Sequence, residues 1–141
     1  EGYQLMYGHL EQRFDREFEV KRQFGQPLPR GNAECLAQLD AVAVHGEGAA
    51  QRVAAADRVL CRVLVFNVET CKCVARAGTM GTGQGQILGP SGVAFNDQGE
   101  LYVSDLRLHR IQVFDSSGAY LRRVGADMTR AFSQPCGLAF S

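Results

Sequence analysis

The chain has 141 residues, of which 45% are apolar and 21% charged, a composition that suits one globular core. Its 15 Lys and Arg offset its 15 Asp and Glu, so no net field draws it to a polyanion or an anionic membrane, and any nucleic-acid role rests on a local patch. No apolar run approaches the roughly 18 residues that cross a bilayer, and Glu1 does not open a charged-then-apolar secretory leader.

Residues 1–25 carry two conflicting signals. Leu10, Phe14 and Phe18 are spaced four apart among Glu, Arg and Lys, so local propensity favours an amphipathic helix. Yet His9, Gln12, Phe14-Asp15 and Gly25 stand in the same register as His109, Gln112, Phe114-Asp115 and Gly125. That register favours strands, and matched landmarks constrain a fold more than propensity does. The Gly- and Pro-rich stretch Gly25 to Asn32 then reads as a loop. Residues 38–78 form the next unit: Val42-Ala43-Val44, a turn at Gly46-Glu47-Gly48, then Asp57, the run Arg62 to Asn67, and Gly78. Ala49 to Leu60 would make a good isolated helix, whereas the repeat register puts its alanines on a second strand. Val63 to Phe66 is β-branched and aromatic, and Cys71-Lys72-Cys73-Val74 supplies an outer strand. Gly78 to Gly85 resembles a phosphate cradle in its glycines, but no Gly-Lys-Ser/Thr and no helix pattern follows, so it reads as a connecting loop.

Residues 90–125 are the clearest unit. Val93-Ala94-Phe95 ends at a polar turn closed by Gly99, Leu101-Tyr102-Val103 ends at Asp105, Arg110 to Phe114 alternates, and Tyr120 to Val124 follows the turn Asp115-Ser116-Ser117-Gly118. Four strands in a meander of about 35 residues describe one propeller blade. Pro135-Cys136-Gly137-Leu138-Ala139-Phe140 repeats Pro90 to Phe95, so residues 135–141 are expected to be the first strand of another blade, and 1–25 the second to fourth strands of a partial one. The expectation is a single all-β domain, a partial β-propeller of about three four-stranded blades.

These residues resemble the NHL repeat, a family of β-propellers usually closed with six blades. The resemblance rests on the Pro-x-Gly-Val/Leu-Ala-Phe starts at Pro90 and Pro135, the spacing of Asp105 to Arg110 with its echo at Asp57 to Arg62, and the run Arg110 to Asp115. It departs from the repeat at Leu39, where Pro is usual, and at Leu5 and Leu10, where Asp and Arg are. The resemblance implies a non-catalytic scaffold that holds a protein partner. An alternative it allows is single-stranded RNA on the same face, and a second is part of a metal-dependent lyase acting on amidated peptide precursors.

Strand alternation sends the second-to-third-strand turns and the loops between blades to one face, and binding residues concentrate in such loops. The candidate binding residues there are Arg30, Arg58, Met80, Leu106, Arg107, Leu108, His109, Arg130 and Phe132. Apolar side chains beside arginines suit a protein interface. RNA stacking needs aromatics, of which Phe132 is nearly the only one. Asp57 with Arg62 and Asp105 with Arg110 recur from unit to unit, which marks a structural clasp in which each guanidinium donates to the carboxylate. His9, His45 and His109 fall at opposite ends of the blades, so no catalytic residue, metal site or cofactor is assigned. Five cysteines without regular spacing suggest free thiols in a reducing, cytoplasmic setting. Opening at Glu1 and closing within a first strand, the sequence is expected to be a segment of a longer protein, the alternative being a head-to-tail homodimer of two half-rings.

Overall fold

Short apolar runs broken by Gly and Asx turns become strands throughout the computed structural model, which describes residues 2–6, 9–14, 23–24, 36–125 and 134–140, the first three runs as backbone only. β1 (Gly2–Met6), β2 (His9–Phe14) and β3 (Gln23–Phe24) form a three-stranded antiparallel sheet. β4 (Leu39–His45), β5 (Arg52–Asp57), β6 (Arg62–Asn67) and β7 (Cys73–Ala77) follow as a four-stranded meander. Inside the next linker β8 (Thr79–Met80) and β9 (Gln86–Ile87) make a short parallel ladder. A second four-stranded meander comprises β10 (Pro90–Phe95), β11 (Leu101–Asp105), β12 (Arg110–Phe114) and β13 (Tyr120–Val124). The architecture is all-β and is the partial-propeller arrangement expected from the repeats.

Register shows that the two meanders are copies. Leu39, Asp57 and Arg62 share one rung, as do Pro90, Asp105 and Arg110. Both sheets shift register at the same two places, next to Leu39 and Pro90 and between Val65/Phe66 and Val113/Phe114. Of the two segments with helical propensity, the described parts of 9–24 are strands, and in 49–60 only Gly48–Ala50 begins with a turn of 3-10 helix before β5. The reason is packing. Ala54 and Ala56 face the second meander, Ala55 faces the other way, and all three are wholly buried. A strand buried on both faces overrides the weak intrinsic preference of alanine, and its small side chains let β10 lie against β4 and β5.

The core between the meanders contains Val63, Val65, Ile87, Leu101, Val103 and Phe114. A second cluster, Leu36, Val53, Leu64, Phe66 and Val68, lies on the far face of β4–β7. Burying side chains such as Phe66, Leu64, Ile87, Leu101 and Phe114 contributes about 1.5–3 kcal/mol each. The rims of the meanders are also stitched. Arg52 Nη1 donates to the Ser116 carbonyl at 3.1 Å, and the β12–β13 turn brings Gly118 against the backbone carbonyl of Arg76. Asx turns set the hairpins: the Asn67, Asn96 and Asp115 Oδ1 atoms each accept backbone N–H groups two to four residues on.

Pro135 to Phe140, expected to be another first strand, lies against β10 and β11 but joins no ladder among the described residues. Side-chain hydroxyls hold it instead. Ser91 Oγ donates to the Pro135 carbonyl at 2.6 Å and Ser104 Oγ to the Cys136 carbonyl at 3.3 Å, while Phe140 meets Tyr102 edge-on with ring centres 4.9 Å apart.

Gly118 sits at φ 89°, and a Cβ there would strike the Arg76 carbonyl. Gly118→Ala is therefore expected to lower stability by about 2 kcal/mol in urea denaturation, whereas Gly137→Ala, which meets nothing within 4 Å, leaves the midpoint unchanged. A second expectation concerns acid. Arg122 forks onto Glu100 at 2.9 and 2.8 Å, and this hydrogen bonding holds the Glu100 carboxyl below its ordinary pKa. A depressed carboxyl stabilises the fold above the ordinary glutamate pKa of about 4.3 and loses that contribution as pH falls through its folded value. Glu100→Gln should flatten this part of the acid limb in a stability-versus-pH series, and an unchanged limb would count against the fork.

Candidate functional site

Each meander has a buried aspartate at the end of its second strand, and the loop face is built on it. Asp105, 1% exposed, accepts four backbone N–H groups: Leu88 at 2.8 Å, Gly89 at 3.1 Å, and Arg107 and Leu108 at 3.0 Å. Asp57 does the same with Ala37 at 2.7 Å, Gln38 at 3.3 Å, and Val59 and Leu60 at 3.1 Å. One carboxylate thus closes the turn that follows it and fastens the linker that enters its own meander. The sequence led to the expectation of a guanidinium clasp at Asp57 and Asp105; the hydrogen bonds described at both carboxylates come from backbone amides. Arg110 turns elsewhere, its Nη2 donating to the carbonyls of Gly83 at 2.6 Å and Gln86 at 2.8 Å. Burial pulls the Arg110 pKa down, and Asp105 opposes that shift through space.

The glycine-rich linker is folded upon itself. The Gly81 N–H donates to the Ile87 carbonyl, Gly83 N–H to Gln86 Oε1 at 2.8 Å, and Gly85 N–H to Gln112 Oε1 at 2.9 Å. Gln112 is 1% exposed and also donates through Nε2 to the Gln86 carbonyl at 2.7 Å. These three glycine amides are spent inside the protein and do not face an anion, so the loop is a structural connector.

Two turns complete the face. Cys61 and His109 close the β5–β6 and β11–β12 turns with φ near 51° and 53°, a left-handed conformation uncommon for a residue with a side chain. Each reaches the linker beyond its own meander: Cys61 Sγ donates to the Leu88 carbonyl at 3.3 Å, and His109 Nδ1 accepts the Gln134 N–H at 3.0 Å. Burial raises the Cys61 pKa, with Arg107 opposing the rise, so the thiol is a poor nucleophile. The free thiols among the described residues are Cys61, Cys71, Cys73 and Cys136, and no three His, Cys, Asp or Glu among those residues stand where they could hold one metal ion.

Of the expected binding residues, Arg58, Arg107 and His109 are exposed in these two turns and Met80 is exposed in the linker, while Leu106 and Leu108 are half-buried rather than exposed. Arg30, Arg130 and Phe132 lie outside the described residues. The stem of Arg107 runs over Gly89, where a Cβ would come 2.8 Å from Arg107 Cγ. Arg58 Nη1 is 3.5 Å from Asp40 at the head of β4. Sequence reasoning missed Val59 and Leu60, which are 52% and 42% exposed, where Met80 is 61% exposed. The signal was present: they take the turn positions of Arg107 and Leu108.

Residues 88–114, from the end of the linker through β12, match the NHL repeat. The chain is 51% identical over 43 residues to the B-box type zinc finger protein ncl-1 of Caenorhabditis elegans and 44% identical over 48 residues to the protein brain tumor of Drosophila melanogaster. Those stretches are 30% and 34% of this chain and 5% of each relative. Its fold is similar to that of Kuenenia stuttgartiensis hydrazine synthase, with a TM-score of 0.54 at 14% identity over 78% of this chain and 28% of that one.

Replacing Asp105 by Asn exchanges an oxygen acceptor for an NH2 group facing backbone donors. Asp105→Asn should cost about 2–4 kcal/mol in chemical denaturation, and a loss below about 0.5 kcal/mol would show that the amides find other partners.

Proposed function

We propose that this NHL-repeat chain is a non-catalytic scaffold whose loop face holds a protein partner. The observation that supports the reading is the exposure of Val59, Leu60 and Met80 in a turn and a linker joined where Cys61 Sγ donates to the Leu88 carbonyl, the turn fixed by Asp57 and the linker by Gln112. Among the described residues, the other large exposed apolar side chains, Val44, Val74, Leu121 and Phe140, are scattered over four segments. Scattered apolar side chains are ordinary on a surface, whereas a cluster beside arginines has the composition of an interface centre. Preorganisation matters as much as composition. A loop already held in one shape loses little entropy when a partner docks.

An RNA strand would need stacking platforms, and in the described turns and linker of this face His109 is the sole ring, its Nδ1 already engaged by Gln134. No helix among the described residues is long and apolar enough to cross a membrane.

The test is affinity capture by the intact chain compared with the double variant Leu60→Ser/Met80→Ser. The expected result is a loss of the captured partner of about tenfold or more, while Val74→Ser, on the outer strand, captures as the parent does. Equal capture by all three would overturn the reading, as would oligouridine binding whose affinity falls steeply with salt.

A further inference from the structure

The exposed charge in the described part of the loop face is one-sided. In the described segments of the loop face, residues 36–38, 58–61, 78–89 and 106–109, the charged side chains are Arg58 and Arg107, both exposed. The carboxylates of Asp57 and Asp105 act on this region through space from inside, but neither is exposed to meet a ligand directly. Asp57 and Asp105 are buried, with their oxygens filled by backbone amides. Among the described residues Asp40 faces Arg58 at 3.5 Å, and its side chain is 22% exposed against 53% for Arg58. Arg107 adjoins the turn that carries Val59 and Leu60: its stem runs over Gly89, and Cys61 of that turn donates to the carbonyl of the preceding Leu88 at 3.3 Å.

Resting on the reading proposed above, we infer that the occupant of this face is an acidic segment of a partner protein, in which an apolar anchor is flanked by Asp or Glu. The anchor covers Val59, Leu60 and Met80. The flanking carboxylates meet Arg58 and Arg107, whose planar guanidinium groups suit bidentate contact with carboxylate. Complementary charge of this kind governs encounter and selects among partners more than it sets final affinity. The face thus selects by charge and holds by apolar contact.

Selection from a short random peptide library displayed on phage tests this directly, using the full chain as bait and Leu60→Ser/Met80→Ser as counter-selection. Recovered peptides should combine an apolar core with Asp and Glu, and their binding should weaken about tenfold for Arg58→Ala/Arg107→Ala and more steeply at low salt than at high salt. The charge-reversed chain Arg58→Glu/Arg107→Glu, altered only at exposed positions, should instead select basic peptides. Recovered peptides that are neutral or basic but still lost in the Leu60→Ser/Met80→Ser chain would overturn the acidic partner while leaving the face intact. Peptides retained by that chain, or no enrichment at all, would overturn both.

Discussion

A carboxylate buried at the end of a second strand and surrounded by four backbone N–H groups is the constraint on which the loop face depends. An ionised group with so little exposure is tolerable only where hydrogen bonds replace its water. At Asp57 and Asp105 those bonds come from two directions, the turn just ahead and the linker behind. The same oxygens that satisfy the charge therefore fix where the linker enters the sheet. The turn cannot adopt another shape without stranding an acceptor.

From that anchor the rest of the face follows by stacking. Small alanines on β5 bring β10 close, and the linker between the meanders is tied by Gln86, Arg110 and Gln112. The left-handed residues Cys61 and His109 then hold the next linker in turn. The first meander is thus bonded to the second at the loop end, while Arg52 and Gly118 join the meanders at the other end. A surface held at both ends keeps exposed apolar groups in place without a ligand. That is the physical content of calling it a scaffold.

Much of this is legible in the sequence because the repeat is written in residues with narrow conformational roles. Asp105, Arg110, Asn96, Gly99 and Gly118 mark turn ends and hairpins, and their echo at Asp57 and Arg62 places the other meander. The partners of those residues are not legible. Nothing in the spacing of Asp and Arg distinguishes a guanidinium clasp from a carboxylate filled by amides, since the amides come from linker positions of no special residue type, Ala37 and Gln38 in one copy and Leu88 and Gly89 in the other. Val59 and Leu60 escaped notice for a related reason. The spacing does not say which apolar residues of a turn stay outside: Leu106 and Leu108 are half-buried, whereas Asp57 takes the interior and leaves Val59 and Leu60 exposed. The glycines of the linker read as a connecting loop because no Gly-Lys-Ser/Thr follows them, and three of their N–H groups donate within the protein.

Amide hydrogen exchange on the unmodified chain addresses the central constraint most directly. If buried carboxylates fix the linkers, the N–H groups of Ala37, Gln38, Leu88 and Gly89 will be protected to the same degree as those of β11, although none of the four lies within a ladder. If instead they exchange as fast as the amides of the exposed residues Thr82 and Gln84, the linkers open independently of the sheets, and the loop face is not the rigid surface described.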